Sequence, residues 1–168
     1  MDYIWHYDSP LGGITMASDG DALIGLWLEG QEPSAEVLDQ EHEEKRLPVF
    51  DETCRWLDIY FTGKDPGFTP KLKMRTSAFR KKVWEIMLTI PFGQTMTYGE
   101  IAARIAREEG VKRMSARAVG GAVGHNLISL IIPCHRVVGA DGSLTGYAGG
   151  IDRKAALLEM ERAGADTR

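Results

Sequence analysis

The stretch Thr97 to Gly124, TYGEIAARIAREEGVKRMSARAVGGAVG, decides the fold of this chain. Thr97 followed three residues later by Glu100 is a capping-box pattern, and Ile101, Ala102 and Ile105 continue it at helical spacing. A polar loop over 108–113 follows, and Ser115 then caps a second segment, Ala116 to Gly124, made almost wholly of small residues. Two helices joined by a short turn in a basic region predict a helix-turn-helix. The second helix offers no long polar side chain except Arg117, so it is slim. Such a surface suits close approach to a nucleic-acid groove, and it suits equally a tightly packed core helix built around a glycine pair.

Upstream, Ser77 or Thr76 caps a predicted helix to about Leu88, with Phe79, Val83, Ile86, Met87 and Ile90 as its apolar stripe and Arg80, Lys81 and Lys82 exposed. Pro91-Phe92-Gly93 breaks it. Downstream, Arg153 to Glu161 reads as a final amphipathic helix. The stretch KDPGFTPKLKM (64–74), with two prolines and a glycine, reads as a linker between this helical half and a different N-terminal half.

In that first half, residues 2–7, 13–18 and 22–28 are short and rich in β-branched and aromatic residues, with turn signals between them. They predict an antiparallel three-strand meander. Residues 32–46 are mostly charged and read as a weak helix or loop. Phe50, Cys54, Leu57 and Phe61 fall at helical spacing, which places Cys54 on an apolar face as a core thiol. The expected domains are 1–73 and 74–168.

At 168 residues, 43% hydrophobic and 26% charged, the composition is that of a globular protein. No apolar run near the length of a membrane span is present, and the N-terminus has no basic and apolar signal regions, so a cytoplasmic location is expected, or a nuclear one in a eukaryote. The net charge of -4 is unevenly spread. Residues 1–73 hold 6 Lys+Arg against 15 Asp+Glu, and residues 74–168 hold 14 against 9. Only the second half could face a polyanion. The two cysteines, Cys54 and Cys134, have no zinc-ligand spacing and suggest neither a metal site nor a disulfide.

The chemistry concentrates in IIPCHRVVG (131–139). A cysteine reacts as its thiolate, and a neighbouring histidine is the usual base. Adjacent residues of an extended strand point to opposite faces, so Cys134 and His135 need a local turn or a bridging water to communicate. Arg136 adds positive charge or ties a carboxylate. A third group should orient the imidazole, with Glu161 and Glu159 as candidates. The pair alone would also serve a cysteine hydrolase, which would need an oxyanion hole that nothing in the sequence marks.

Taken together, Asn126, IIPCHRVVG, TGYAGG (145–150) and the helix ending in Glu161 closely resemble the O6-alkylguanine-DNA alkyltransferase family, most strongly from Phe79 to Glu161. The resemblance implies a ribonuclease H-like α/β N-terminal domain, an antiparallel sheet plus helix, packed on a mainly α, winged-helix-like C-terminal domain. It implies that Cys134 takes an alkyl group from the O6 of a guanine flipped out of double-stranded DNA, irreversibly and once, by a monomer that needs no cofactor. O4-alkylthymine stays open as a second substrate. His135 would act as base through a water, Glu161 would hold the imidazole, and Asn126 would brace the turn before the site. Tyr98 would serve the guanine ring as it leaves. The backbones of Val137 and Ala148 would meet the base, and Tyr147 would wall the pocket. Arg117 would fill the gap left by the flipped base, and Ala118, Gly120, Gly121 and Ala122 would let the helix enter the minor groove. A relative that only binds damaged DNA typically replaces the cysteine by tryptophan, whereas Cys134 is present. Leu127 stands where the family commonly has proline, and Arg107 to Met114 is longer than in compact members.

Overall fold

The computed structural model describes residues 1–31, 41–144 and 150–166, arranged in two compact units. The first comprises Met1–Arg75 with Leu127–Ile131, and the second Thr76–Asn126 with Ile132–Arg168.

In the first unit β1 (Asp2–Ser9), β2 (Gly12–Ser18) and β3 (Leu23–Leu28) form the predicted antiparallel meander, with Tyr7 opposite Ile14 and Met16 opposite Leu26. The sheet is mixed rather than purely antiparallel, because β4 (His42–Glu44) adds parallel to β1, giving the order β3-β2-β1-β4. This exposed His-Glu-Glu triplet lies in the stretch read as helix or loop. Charged edge strands carry no apolar alternation to betray them. Every residue of β3 is buried, the pattern of a strand covered on both faces. Its outer edge is satisfied twice. The Leu23 amide donates to Lys71 O and Lys73 donates back to Leu23 O, at 2.8 and 2.9 Å, so part of the expected linker is an ordered extended segment. Further along, Leu26 donates to Leu127 O at 2.8 Å and Ser129 to Leu26 O at 3.0 Å. These pairings draw Leu127–Ile131 into the first unit, which chain order does not reveal.

Helix α1 (Pro48–Tyr60) begins with proline at its first turn, where the missing N–H costs nothing. Its buried stripe is Val49, Phe50, Thr53, Trp56, Leu57 and Tyr60. Cys54 sits at the margin of that stripe and is half-buried, not the core thiol expected. Asp2, itself buried, is clamped by Arg75 through two bonds of 2.7 and 3.0 Å, which joins the two ends of the first unit.

The second unit is helical. Ser77 caps α2 (Ala78–Met87), the Thr97 and Glu100 capping box opens α3 (Tyr98–Glu109), Gly110 ends α3 in the left-handed conformation, and Ser115 caps α4 (Ala116–Gly124). Each of the three N-terminal caps is one the sequence announces, whereas the Gly110 stop lies in the stretch read only as a polar loop. Val83, Trp84, Ile86 and Met87 of α2, Ile101, Ala102 and Ile105 of α3, and Val119, Ala122 and Val123 of α4 make the core. The Trp84 indole N–H donates to Ala122 O at 2.9 Å and fixes α2 against α4. A short parallel ladder joins β5 (Met96–Thr97) to β6 (Val137–Val138). Helix α5 (Ile151–Asp166) closes the unit. No described helix is long and apolar enough to cross a membrane.

Candidate active site

Cys134, His135 and Arg136 form one turn of 3-10 helix, entered through Pro133 and left into β6. The turn is tied by Arg136 N to Pro133 O at 2.9 Å, and Cys134 N bonds Ile132 O at 2.8 Å. It is the local turn that the pairing of Cys134 with His135 calls for. The apolar run around PCHR does not reveal that the turn takes 3-10 form.

His135 is fully buried, and its Nε2 meets Glu161 Oε2 at 2.5 Å. The other Glu161 oxygen accepts from Arg136 Nε at 2.7 Å and from the Gly93 amide at 3.2 Å. Arg136 also donates to Ile90 O at 2.7 Å and lies over the Phe92 ring. The choice between the two glutamates is therefore settled by geometry: Glu159 is exposed and pairs with Arg162. Arg136 is the carboxylate tie that its position left open. Burial alone would raise the Glu161 carboxyl, but the His135 hydrogen bond and the Arg136 charge outweigh it and hold the group down at about 2. Burial pushes His135 down, against the pull of Glu161, so the imidazole is held neutral and able to take a proton.

Asn126 is buried, and its Nδ2 donates to Ile132 O at 2.8 Å, bracing the approach to the turn. Its side chain also hydrogen-bonds the Cys134 sulfur. Burial pushes the Cys134 thiol up, while Asn126, the charge of Lys154 and the amides of Cys134 and His135 oppose that shift. Each of these neighbours favours the thiolate, and the loss of water disfavours it.

Lys154 escaped the sequence reading. Its side chain is buried, and Nζ donates to Val137 O at 2.5 Å. Burial lowers its own pKa, and the charge of Cys134 works the other way. Lys154, Leu157 and Glu161 fall at i, i+3 and i+7 on α5, so the inward face of that helix carries two charges and one leucine. That spacing was the available signal. A lysine beside Arg153 reads as a solvated helix face unless the glutamate two turns on is taken as its companion.

Tyr98 stands at the first position of α3, half-buried, with its ring beside Gly120: a Cβ on Gly120 would lie 3.9 Å from its Cδ1. Gly120 therefore faces the tyrosine, while Arg117, Ala118, Gly121 and Gly124 form the exposed side of α4. Ala122 is buried against Trp84 and is not part of that side. Val137 is buried, with its carbonyl held by Lys154. Tyr147 and Ala148 lie outside the described residues. Among the described residues no group of three or more His, Cys, Asp or Glu could hold a metal ion.

Residues 78–163 match the family model described as 6-O-methylguanine DNA methyltransferase, DNA binding domain, and residues 3–74 match its ribonuclease-like domain. The chain is 43% identical over 166 residues to the methylated-DNA–protein-cysteine methyltransferase of Mycobacterium tuberculosis, covering 94% of this chain and 92% of that protein. It is 38% identical to the protein of the same name from Haemophilus influenzae, with 95% and 86% covered. Among solved structures, Mycobacterium tuberculosis OGT in complex with DNA aligns with a TM-score of 0.81 at 40% identity, covering 96% of this chain and 94% of that one. With both halves matched by its models, the chain belongs to the 6-O-methylguanine DNA methyltransferase family.

Proposed function

We propose that the protein repairs DNA by moving an alkyl group from the O6 of guanine to Cys134 Sγ, once per molecule. The observation that carries this reading is the Cys134-His135-Glu161 arrangement: a buried thiol and a buried neutral imidazole in one turn, the imidazole anchored to a carboxylate. Sulfur attacks the alkyl carbon, the S–C bond forms, and the O6–C bond breaks. The thiol proton leaves through His135, and guanine departs neutral after taking up a proton. In this reading His135 is the base, reaching the thiol through a water, and Glu161 positions it. Asn126 and Lys154 favour the thiolate, and the Tyr98 hydroxyl serves the leaving guanine.

The product is a thioether, which has no easy hydrolytic or exchange route, so the protein is consumed. The transfer as written needs no metal or cofactor. The exposed side of α4 suits the minor groove, with Arg117 entering the stack and Ala118 and Gly121 allowing close approach; Tyr147 and Ala148 complete the pocket. Slim, small residues suit sequence-independent binding, and the surplus of Lys and Arg in residues 74–168 supplies the phosphate attraction. The expected cytoplasmic location belongs to the same proposal.

The test is single-turnover transfer. Stoichiometric duplex DNA carrying O6-methylguanine should add the mass of one CH2 to the peptide containing Cys134 and leave the lesion repaired. An unmodified Cys134 peptide beside intact lesion would overturn the reading, and multiple turnovers on an ester or amide would replace it by a hydrolase.

A further inference from the structure

Residues Leu127–Ile131 belong to the first unit, and the chain re-enters the second at Ile132, two residues before Cys134. The two ends of this excursion are tied to each other, since Asn126 Nδ2 donates to Ile132 O at 2.8 Å. Inside it, Leu127 O accepts the Leu26 amide at 2.8 Å, and the Ser129 amide donates back to Leu26 O at 3.0 Å. Ile128, Ser129 and Leu130 are buried. Five residues must therefore run along the edge of β3 and reverse, with both ends fixed.

The reversal is made at Leu130. Among the described residues it is the one non-glycine with a positive φ, 69°, and the Ile131 amide donates across it to Ser129 O at 2.8 Å. A three-residue turn closed over such a φ is the γ-turn of the rare, strained hand. Leucine there crowds its Cβ against the backbone, and its side chain offers no local hydrogen bond in return, as asparagine or aspartate would. Strain of this kind persists only where the surroundings over-determine it, and the two bonds to Leu26 and the Asn126 tie do so. Local bonds then run on to the site. Pro133, at φ −82° and ψ 70°, has the opposite and relaxed γ-turn form, with the Cys134 amide donating across it to Ile132 O at 2.8 Å. The Arg136 amide bonds Pro133 O at 2.9 Å and closes the 3-10 turn that carries Cys134 and His135.

We infer that Leu130 is a positioning residue for Cys134: its strained turn sets the direction in which the chain enters the 3-10 turn, and so where the sulfur stands. The inference rests on the alkyl-transfer reading above. Leu130 acts through Ile131, Ile132 and Pro133 and not on the reacting atoms. Glycine would take this φ without strain but would leave the chain free to take others, whereas leucine, once its side chain is buried, is confined to one. Attack of sulfur on the alkyl carbon tolerates little error in distance or angle, and a misplacement of about 1 Å can cost about 100-fold. A strained residue held by bonds elsewhere in the fold and placed just ahead of a reacting group is a means of pre-organising that group.

The test compares Leu130→Ala with Leu130→Gly in the full chain, two variants that differ by one methyl group and by backbone freedom. At a negative φ glycine is the less stable of such a pair. Here Leu130→Gly should have the higher urea midpoint, because it alone escapes the penalty of a positive φ. In single-turnover transfer from a duplex carrying O6-methylguanine, its rate at saturating DNA should nevertheless be about tenfold lower than that of Leu130→Ala, at an unchanged half-saturating concentration. A merely structural residue would move rate and stability in the same direction. Transfer by Leu130→Gly as fast as by Leu130→Ala or faster overturns the positioning role, and a lower urea midpoint for Leu130→Gly overturns the strain on which it depends. Should the lost side chain leave both proteins unfolded, Leu130→Met and Leu130→Ile keep the volume. The β-branched isoleucine tolerates a positive φ worse and should have the lower midpoint, and the reverse order overturns the inference. Absence of transfer by the unsubstituted protein overturns the alkyl-transfer reading itself, and the inference with it, whatever the order of the urea midpoints.

Discussion

The two cysteines occupy opposite electrostatic settings. Cys54, in the acidic first unit, is half-buried on α1, and after burial itself the groups that act on it most are the carboxylates of Asp58 and Asp51, which push its thiol further up. Cys134, in the basic second unit, is more deeply buried, yet Asn126, Lys154 and two backbone amides all pull its thiol back down. Depth of burial therefore does not mark the nucleophile. Burial raises any thiol, and the sign of what surrounds it decides whether the thiolate can form at all.

The largest effect expected from this contrast is all-or-none. Cys134→Ala should abolish methyl transfer, whereas Cys54→Ala should leave the single-turnover rate within about twofold, since no step of the chemistry touches it. A Cys54→Ala protein that loses transfer while keeping its fold by circular dichroism would break the comparison.

Next comes the carboxylate that holds the site together. Glu161→Gln keeps an acceptor for His135 but leaves the buried Arg136 without a counter-charge, and should lower stability in urea by about 3–5 kcal/mol. Transfer should slow by about 100-fold or more as the imidazole becomes a weaker base. The sign of the pH dependence follows from the same groups. Glu161 is held at about 2, against about 4.3 for an unfolded glutamate, so its contribution is complete above the unfolded value and is lost as pH falls through the folded one. That span is worth about 3 kcal/mol. His135, kept neutral by burial, begins the decline earlier, because below about pH 6.5 the unfolded chain takes up a proton that the folded one refuses. Urea midpoints should therefore drop from about pH 6.5 downward, and Glu161→Gln should lack the lower step. An unchanged acid limb in the variant would show that Glu161 does not carry it.

Lys154→Met is a smaller intervention. It keeps an unbranched side chain one atom shorter, removes one positive charge near the sulfur and frees the Val137 carbonyl. The pH-rate profile of transfer should move toward higher pH, with a rate at neutral pH lower by up to about tenfold. A loss of rate with no movement of the profile would mean that Lys154 matters through the Val137 carbonyl and not through its charge.

The same contrast explains what could be read in the sequence. Thr97 with Glu100, Ser77 and Ser115 each satisfy backbone groups within three residues of themselves, so the helices of the second unit announce themselves locally. The meander does so through its turns. By contrast, β4 is three polar residues whose only reason to be a strand is the edge of β1, and Leu127–Ile131 joins the first unit because the edge of β3 accepts it. At the site, Cys134, His135 and Glu161 were legible as chemistry. The need for a local turn or a bridging water at Cys134 was legible too, but the 3-10 form of that turn and the buried Lys154 were not, since both depend on what packs around them and not on spacing along the chain.

The smallest expected effect separates two glycines by the reason each is there. Gly25, in the middle of β3, has no room: a Cβ would collide with the Trp27 ring, itself buried in the cluster of Ala17 and Ile24. Gly25→Ala must displace that ring and should destabilise the first unit by about 1–3 kcal/mol, the usual cost of overpacking. Gly121 sits on the exposed side of α4, where a Cβ would touch nothing within 4 Å. Gly121→Ala should therefore stabilise the second unit by about 0.5–1 kcal/mol, because alanine loses less backbone freedom in a helix. If that side faces DNA, the same methyl group should weaken duplex binding severalfold while methyl transfer from a free O6-alkylguanine base stays unchanged. Stability rising while duplex binding falls would mark Gly121 as a glycine kept for a partner, in contrast to Gly25, which is kept for the fold. Tighter or unchanged binding by Gly121→Ala would place the DNA on some other side of α4.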